Sequence, residues 1–171
     1  MKMGLITSIF ETLTLEQVID FAAETGLECL EVACWPSSGE AKRRYAGTCH
    51  IDAQALTKAR ADEINAYLAK KHVTISALAY YPNTLDPDLE KREAYIRHLR
   101  MLIDAAQLLG VGLVTTFLGR VPQWTVSRNL EEVKSVWPAI LDYDAEKGVR
   151  IAIENCPMLF TEDEWPGGQN L

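Results

Sequence analysis

One carboxylate in the sequence stands where catalytic groups are often found. Glu154 directly follows the apolar run from Val149 to Ile153, so we expect it at the end of a buried strand. A charge in that position must offset the cost of leaving water, which it can do by binding a metal, pairing with a cation or moving a proton. Glu154 is therefore a candidate metal ligand and acid/base. A carboxylate paired with Arg or Lys at the edge of the sheet is the structural alternative.

Aromatic side chains follow several other apolar runs and could bind a substrate. An aromatic ring can stack against a sugar, although rings near strand ends also pack against one another. The candidates are Trp35, Tyr80, Tyr81, Phe117 and Trp165. We expect part of a substrate site among these rings, with simple packing as the alternative.

Three polar features could contribute further contacts. His50, beside Asp52 in a loop, could hydrogen-bond a sugar hydroxyl or instead pack at the start of the second helix. Arg120 follows the fourth apolar run, and its guanidinium could bind an anion there. The Lys-Arg-Arg stretch at 42–44 could bind a phosphate or remain solvated. Whether the substrate is phosphorylated is left open.

The cysteines offer no chemistry of their own. Cys29, Cys34, Cys49 and Cys156 form no C-x-x-C pair, and no base is placed by sequence to make Cys34 or Cys156 a nucleophile. We expect reduced thiols and propose no catalytic cysteine.

Composition narrows the class of protein. The chain has 171 residues, 48% of them hydrophobic and 24% charged, which is typical of one globular domain with a core. With 17 Lys and Arg against 24 Asp and Glu, the formal charge is 17 − 24 = −7. An acidic chain without a basic groove is a poor partner for nucleic acid or anionic membranes. No run approaches the length of a membrane span, and the apolar start is interrupted by Glu11, so we expect a cytoplasmic protein that binds a small molecule.

Helical periodicity predicts the elements that hold these residues. Four helices are expected: about 15–25, from Asp52 to near 71, from 86 to 110, and about 129–147. The first opens with a capping box at residues 14–17, and the third with Pro at its first position. The fourth opens at Asn129, and Pro138 should kink its middle. The third helix carries an apolar stripe made of Tyr95, Leu99, Leu102, Ile103 and Ala106.

Short runs rich in Val, Ile and Leu lie between these helices and predict five strands. The runs cover 3–7, 29–33, 73–79, 111–118 and 149–153. Strands alternating with helices indicate a parallel sheet, either doubly wound or a (β/α)8 barrel. The glycine fingerprint of the doubly wound dinucleotide-binding fold is absent, which favours the barrel. The units repeat about every 37 residues, so eight would need roughly 290, and we expect an incomplete TIM barrel whose first five βα units form one domain over 1–171.

A family resemblance supports this interpretation. The order of the units, the stretch from Tyr45 to Asp52, and above all that from Ile151 to Met158 resemble the sugar phosphate isomerase/epimerase family. That family belongs to the xylose-isomerase-like TIM barrel superfamily, the AP endonuclease family 2 group, which also contains endonuclease IV. The resemblance implies that Glu154 is a divalent-metal ligand and, in the epimerase branch, an acid/base.

The resemblance also indicates the cofactor. The other ligands of the family are an Asp, a His and a second Glu on strands six to eight, which lie outside this chain. Oxygen ligands with one imidazole suit Mn²⁺ first, with Mg²⁺ or Co²⁺ as alternatives. Endonuclease IV holds several zinc ions with more histidines, and this chain has 3, so the nuclease interpretation is weak.

We therefore expect a metal-dependent isomerase or epimerase of a sugar or sugar derivative, which moves a proton through an enediolate. Glu154 would be the base, and the resemblance suggests a substrate-side role for His50. A 3-keto-glycoside lyase or hydratase on the same fold and a non-catalytic fragment or binding subunit are the alternatives. The expected partner is a small sugar, with neither nucleic acid nor membrane. Either a second copy of the chain or the missing barrel segment would complete the molecule.

Overall fold

Five β-strands alternate with helices in the computed structural model, which describes residues 1–37 and 47–154. The strands are β1 (Gly4–Ile6), β2 (Cys29–Ala33), β3 (Thr74–Ala79), β4 (Leu113–Thr116) and β5 (Arg150–Ile153). The helices are α1 (Leu15–Thr25), α2 (Lys58–Lys71), α3 (Leu89–Leu109), α4 (Val126–Val136) and α5 (Pro138–Lys147). A single 3-10 turn at Thr7–Ile9 follows β1. The predicted alternation of strands and helices is confirmed.

The strands form one parallel sheet in the order β1-β2-β3-β4-β5. The helices α1, α2, α3 and α5 contact one another in sequence, so they form a layer on one face of the sheet. A doubly wound sheet reverses its strand order and carries helices on both faces. The observed order is that of consecutive barrel units and excludes the doubly wound alternative.

Side chains alternate along each strand between the two faces of the sheet. Leu30, Val32, Leu78 and Val114 are fully buried against the helices. The stripe of α3 meets them, with Leu99, Leu102, Ile103 and Ala106 fully buried and Tyr95 partly buried, as predicted. We call the opposite side of the sheet, which carries Glu31 and Thr115, the inner face.

Helix α1 begins and ends as the sequence predicts. The Thr14 hydroxyl accepts the Gln17 N–H at 3.3 Å, and the Gln17 side chain accepts the Thr14 N–H at 2.8 Å. Gly26 then ends the helix with φ of 78°, a conformation that costs glycine little.

Two predicted helix starts are wrong, by five residues for α2 and by two for α3. Asp52 does not begin α2. Its carboxylate accepts the N–H groups of the turn that lies between it and the helix, and Thr57 caps α2 instead. Asp86 does not cap α3, because it accepts the N–H of Asp88 at 2.9 Å, and Asp88 caps the helix instead. In both places the chain contains two residues that could cap the helix, and the one nearer the helix does so.

The fourth predicted helix differs at its start and middle. Thr125 is the cap of α4, and Asn129 lies inside the first turns. The Asn129 side chain accepts the Val121 N–H at 2.7 Å and donates to carbonyls of the preceding loop, which explains its burial. Pro138 does more than kink the helix, since it opens α5 directly after α4 ends.

No helix among residues 1–37 and 47–154 is both long enough and apolar enough to cross a membrane.

Candidate functional site

The carboxyl ends of β3, β4 and β5 bring three predicted residues to the inner face. Ala79, Thr115 and Ala152 are paired across these strands. Residues two positions further on face the same side, because side chains alternate with a period of two. Those residues are Tyr81, Phe117 and Glu154. The strand ends therefore place a phenol, an aromatic ring and a carboxylate on one side of the sheet.

A hydrogen-bonded cluster joins β2, β3 and β4 on this face. The Tyr81 hydroxyl donates to Glu31 Oε1, and the Thr115 hydroxyl donates to the same oxygen at 2.9 Å. All three side chains are half-buried. Glu31 Oε1 is thus held by two neutral donors, and in the described part of the chain Oε2 has no hydrogen-bond donor.

Tyr81 stays protonated in this environment. Burial, followed by the hydrogen bond to Glu31, raises the pKa of Tyr81 far above its usual value, and the charge of Glu154 adds to the effect. Glu31 and Glu154 are therefore both close enough to Tyr81 to raise its pKa. The Phe117 ring packs on Tyr81, with ring centroids 4.6 Å apart.

Glu154 sits at the exposed end of β5. Its backbone N–H continues the ladder by donating to the Thr116 carbonyl at 2.9 Å. Within the described residues its carboxylate makes no salt bridge, so the structural ion pair considered above has no partner there.

His50 is held by partners within the protein. Its Nδ1 lies 2.8 Å from the Thr7 hydroxyl, and its Nε2 lies 3.1 Å from the Leu13 carbonyl. Because a carbonyl only accepts, the proton belongs on Nε2, and the Thr7 hydroxyl donates to Nδ1. Burial lowers the pKa of His50. A substrate hydroxyl could reach this ring only by replacing one of these partners, and the substrate role of His50 stays a prediction.

Tyr80 lies on the helix side of the sheet, away from Tyr81, because its ring packs against His98 of α3. Tyr80 is 1% exposed and packs edge-on between the rings of Trp35 at 5.0 Å and His98 at 4.6 Å. His98 on α3 donates from Nε2 to the Cys34 carbonyl at 2.8 Å, which ties the helix to the end of β2. Burial leaves Tyr80 no free ring face for a sugar, whereas half-buried Trp35 keeps an edge exposed.

The loops after β3 and β4 are clamped together. The Asn83 side chain accepts the Arg120 N–H and donates to the Arg120 carbonyl, both at 2.9 Å. Thr84 donates to the Leu118 carbonyl at 2.6 Å. Arg120 lines a shallow groove with Trp124 and the first turns of α4. The anion-binding role of Arg120 stays a prediction.

The described cysteines are poor nucleophiles. Cys34 and Cys49 face each other across an isolated antiparallel bridge, and both are free thiols. Burial raises the pKa of Cys49 to about 11 and that of Cys34 further still. The expectation of reduced thiols agrees with these surroundings. The basic stretch at 42–44, Cys156 and Trp165 lie outside the described residues.

Sequence reasoning missed Glu31 and Thr115. The available signal was a single charge inside the otherwise apolar strand Cys-Leu-Glu-Val-Ala of β2. Such a charge is expensive to bury without partners. Alternation along β4, whose Val114 is buried and Thr115 only partly, would have placed Thr115 on the other face.

The inner face carries oxygen donors of the kind that bind hard cations, but too few of them to form a complete site. Glu154 offers carboxylate oxygens of the kind that Mg²⁺ and Mn²⁺ bind. No group of three or more His, Cys, Asp or Glu residues in 1–37 and 47–154 is arranged to hold a metal. The described residues therefore do not form a whole metal site, and the assignment of Glu154 as a metal ligand stays a prediction.

Comparisons with known proteins place this geometry in context. A family model described as xylose isomerase-like TIM barrel matches residues 19–167. The probable 3-DHS dehydratase AsbF from Bacillus anthracis is a similar solved structure, with 21% identity, 92% of this chain and 53% of that chain covered, and a TM-score of 0.63.

Two further structures have the same fold. The IOLI protein with a zinc atom has 17% identity, coverage of 90% and 51%, and a TM-score of 0.66. D-psicose 3-epimerase in the presence of D-fructose has 15% identity, coverage of 90% and 52%, and a TM-score of 0.63. No curated protein matches. The chain spans about half the length of these three solved structures.

Proposed function

The chain belongs to the xylose isomerase-like TIM barrel family, and from this premise we propose a metal-dependent isomerase or epimerase of a sugar or sugar derivative. The main support for this proposal is the position of Glu154, whose exposed carboxylate lies at the end of β5 on the same face as Glu31 and Tyr81. The incomplete barrel expected from the sequence agrees with the strand order and with the partial coverage of similar structures.

The proposed chemistry is proton transfer beside a carbonyl. Glu154 takes the proton from the carbon next to the carbonyl, and in an isomerase it returns the proton to the neighbouring carbon. In an epimerase, an acid on the opposite side of the substrate, outside the described residues, would give a proton to the other face. Its exposed carboxylate, without a salt bridge in the described residues, can turn toward a substrate lying on the inner face. The rings of Tyr81 and Phe117 would border that substrate, and the protonated phenol would add no negative charge.

A divalent metal would stabilise the negative oxygen that forms on the substrate and polarise its carbonyl. Glu154 fits such an ion as one oxygen ligand, and the remaining ligands would come from outside the described residues. A zinc atom in the similar IOLI structure supports a divalent metal. From donor chemistry we propose Mn²⁺, with Mg²⁺ or Co²⁺ as alternatives.

The test uses the native full-length protein with Mn²⁺ and D-fructose, the sugar present in one similar structure. Incubation in D2O should introduce deuterium beside the carbonyl, read by NMR or mass spectrometry. Glu154→Gln keeps the size of the side chain but removes its charge and basicity. Deuterium exchange should fall by about 10²- to 10⁴-fold, and calorimetry should detect no Mn²⁺ binding.

Glu146→Gln is the matched control, because Glu146 is an exposed carboxylate on α5. It should leave both exchange and Mn²⁺ affinity unchanged. An unchanged Mn²⁺ affinity in Glu154→Gln would contradict the ligand assignment.

A lyase or hydratase on the same fold is the second candidate, supported by the similarity to a probable dehydratase. A lyase also begins with proton removal but then expels a group from the next carbon. Turnover of a 3-keto-glycoside against free D-fructose separates the two, because the lyase product loses the mass of the expelled group, whereas exchange adds only deuterium.

A further inference from the structure

Glu31 is the one charged residue of β2, and its side chain lies on the inner face that Glu154 also borders. Tyr81 and Thr115, from the two neighbouring strands, both donate to Oε1. These contacts hold the carboxylate in one orientation, since two donors from different strands fix a single oxygen. The side chain is therefore immobilised before any ligand binds.

The charge of Glu31 is not neutralised by the protein in the described residues. It forms no salt bridge there. Its partner on β3 is Ala77, and the inner-face cation Arg150 is exposed and lies three strands away on β5. A half-buried carboxylate with one unbonded oxygen has a large capacity to accept a hydrogen bond. Hydroxyl groups of a ligand would satisfy it, whereas a ligand carboxylate placed beside Glu31 would be repelled by its charge.

We propose that Glu31 is a substrate-binding residue whose Oε2 accepts a hydrogen bond from a hydroxyl of a neutral, polyhydroxylated substrate, while Tyr81 and Thr115 hold Oε1. This inference rests on the proposed function and deepens it by selecting neutral sugars over sugar acids. The high pKa of Tyr81 is consistent with it, because the phenol remains a donor to Glu31 across the physiological range.

Direct binding tests the proposal without relying on turnover. Binding of D-fructose and of D-gluconate to the native protein with Mn²⁺ is measured by calorimetry or saturation-transfer NMR. Wild type should bind D-fructose at least tenfold more tightly than D-gluconate. Glu31→Gln replaces the carboxylate that contacts the ligand with an amide, so the affinity for D-fructose should fall about 10- to 100-fold. The ratio of the affinities for D-fructose and D-gluconate should also become smaller.

The matched control is Glu28→Gln, a change to the exposed carboxylate just before the same strand, which should leave both affinities unchanged. Thr115→Val keeps the shape of the side chain but removes one donor to Glu31, so the affinity for D-fructose should fall at least threefold. This variant tests the proposal even if Glu31→Gln fails to fold. In turnover, Glu31→Gln should raise KM for D-fructose more than it lowers kcat, because Glu31 binds substrate and moves no proton.

The outcomes separate this inference from the proposed function. Equal D-fructose affinity in wild type, Glu31→Gln and Thr115→Val overturns the role of Glu31, even if deuterium exchange is observed. Weakened binding in these variants without any exchange in wild type supports Glu31 and contradicts the isomerase. If wild type binds neither sugar, both are overturned.

Discussion

His98 and His50 are both kept neutral by burial, which couples the stability of the fold to pH. In each case burial lowers the pKa of the imidazole below its usual value. The unfolded chain takes up protons on these rings near pH 6.5, but the folded chain does not until a lower pH. Stability from this source is complete above about pH 6.5 and is lost as the pH falls toward the lowered pKa values.

We therefore expect the free energy of unfolding to fall between pH 7.5 and pH 5.5, measured by urea denaturation. His98→Gln keeps a donor for the Cys34 carbonyl but cannot be protonated, so the fall should be smaller than in wild type. His72→Asn, at the exposed end of α2, is the control and should keep the wild-type slope. Identical slopes in all three proteins would contradict this assignment.

At the level of the elements, Gly119 allows the loops after β3 and β4 to meet. Its φ is 75°, and a Cβ there would lie 2.2 Å from Asn83 Oδ1 and 2.8 Å from the Thr84 N atom. Asn83 is the residue that clamps Arg120. A side chain at 119 would both strain the backbone and separate the two loops.

Gly119→Ala should lower the free energy of unfolding by more than about 1 kcal/mol, because alanine is disfavoured at positive φ and also collides with Asn83. Gly112→Ala is the matched control, since a Cβ there meets nothing within 4 Å, and it should change stability by less than about 0.5 kcal/mol. Thermal or urea unfolding measures both. Equal effects of the two substitutions would refute the role of the clamp.

At the level of the whole molecule, the sheet of the described residues has two unpaired edges. β1 pairs with β2 alone, and β5 pairs with β4 alone. Met3 and Ile153 are exposed at these edges, with 70% and 41% of their surface accessible. Open parallel edges offer unpaired backbone groups to other chains, so we expect the 171-residue chain to associate or to be partly unfolded when alone.

Light scattering on the 171-residue chain should report at least twice the mass of one chain. Ile153→Lys should reduce this association, because a charge on an edge strand opposes pairing. Leu141→Lys, on the exposed side of α5, should not. A well-folded monomer that also turns over sugar would contradict the expectation.

Most of the fold follows from signals that act over a few residues. The capping box at Thr14 and the left-handed glycine at 26 mark both ends of α1, and short runs rich in Val, Ile and Leu mark the strands. Such signals depend on hydrogen bonds and packing between near neighbours in the chain. They placed Glu154 at the end of β5, but they left the starts of α2, α3 and α4 misplaced, because several polar residues there could cap equally well.

The inner-face cluster depended on the tertiary structure. Tyr81 and Thr115 are 50 and 84 residues away from Glu31 along the chain, so no local pattern links them. Their meeting requires the register of β2 on β3, where a shift between Leu30 and Glu31 pairs Glu31 with Ala77. A slip of one residue would turn Glu31 toward the helices. The amino-acid sequence by itself determined the strands, helices and strand-end carboxylate, whereas packing between distant strands decided which side chains share the site.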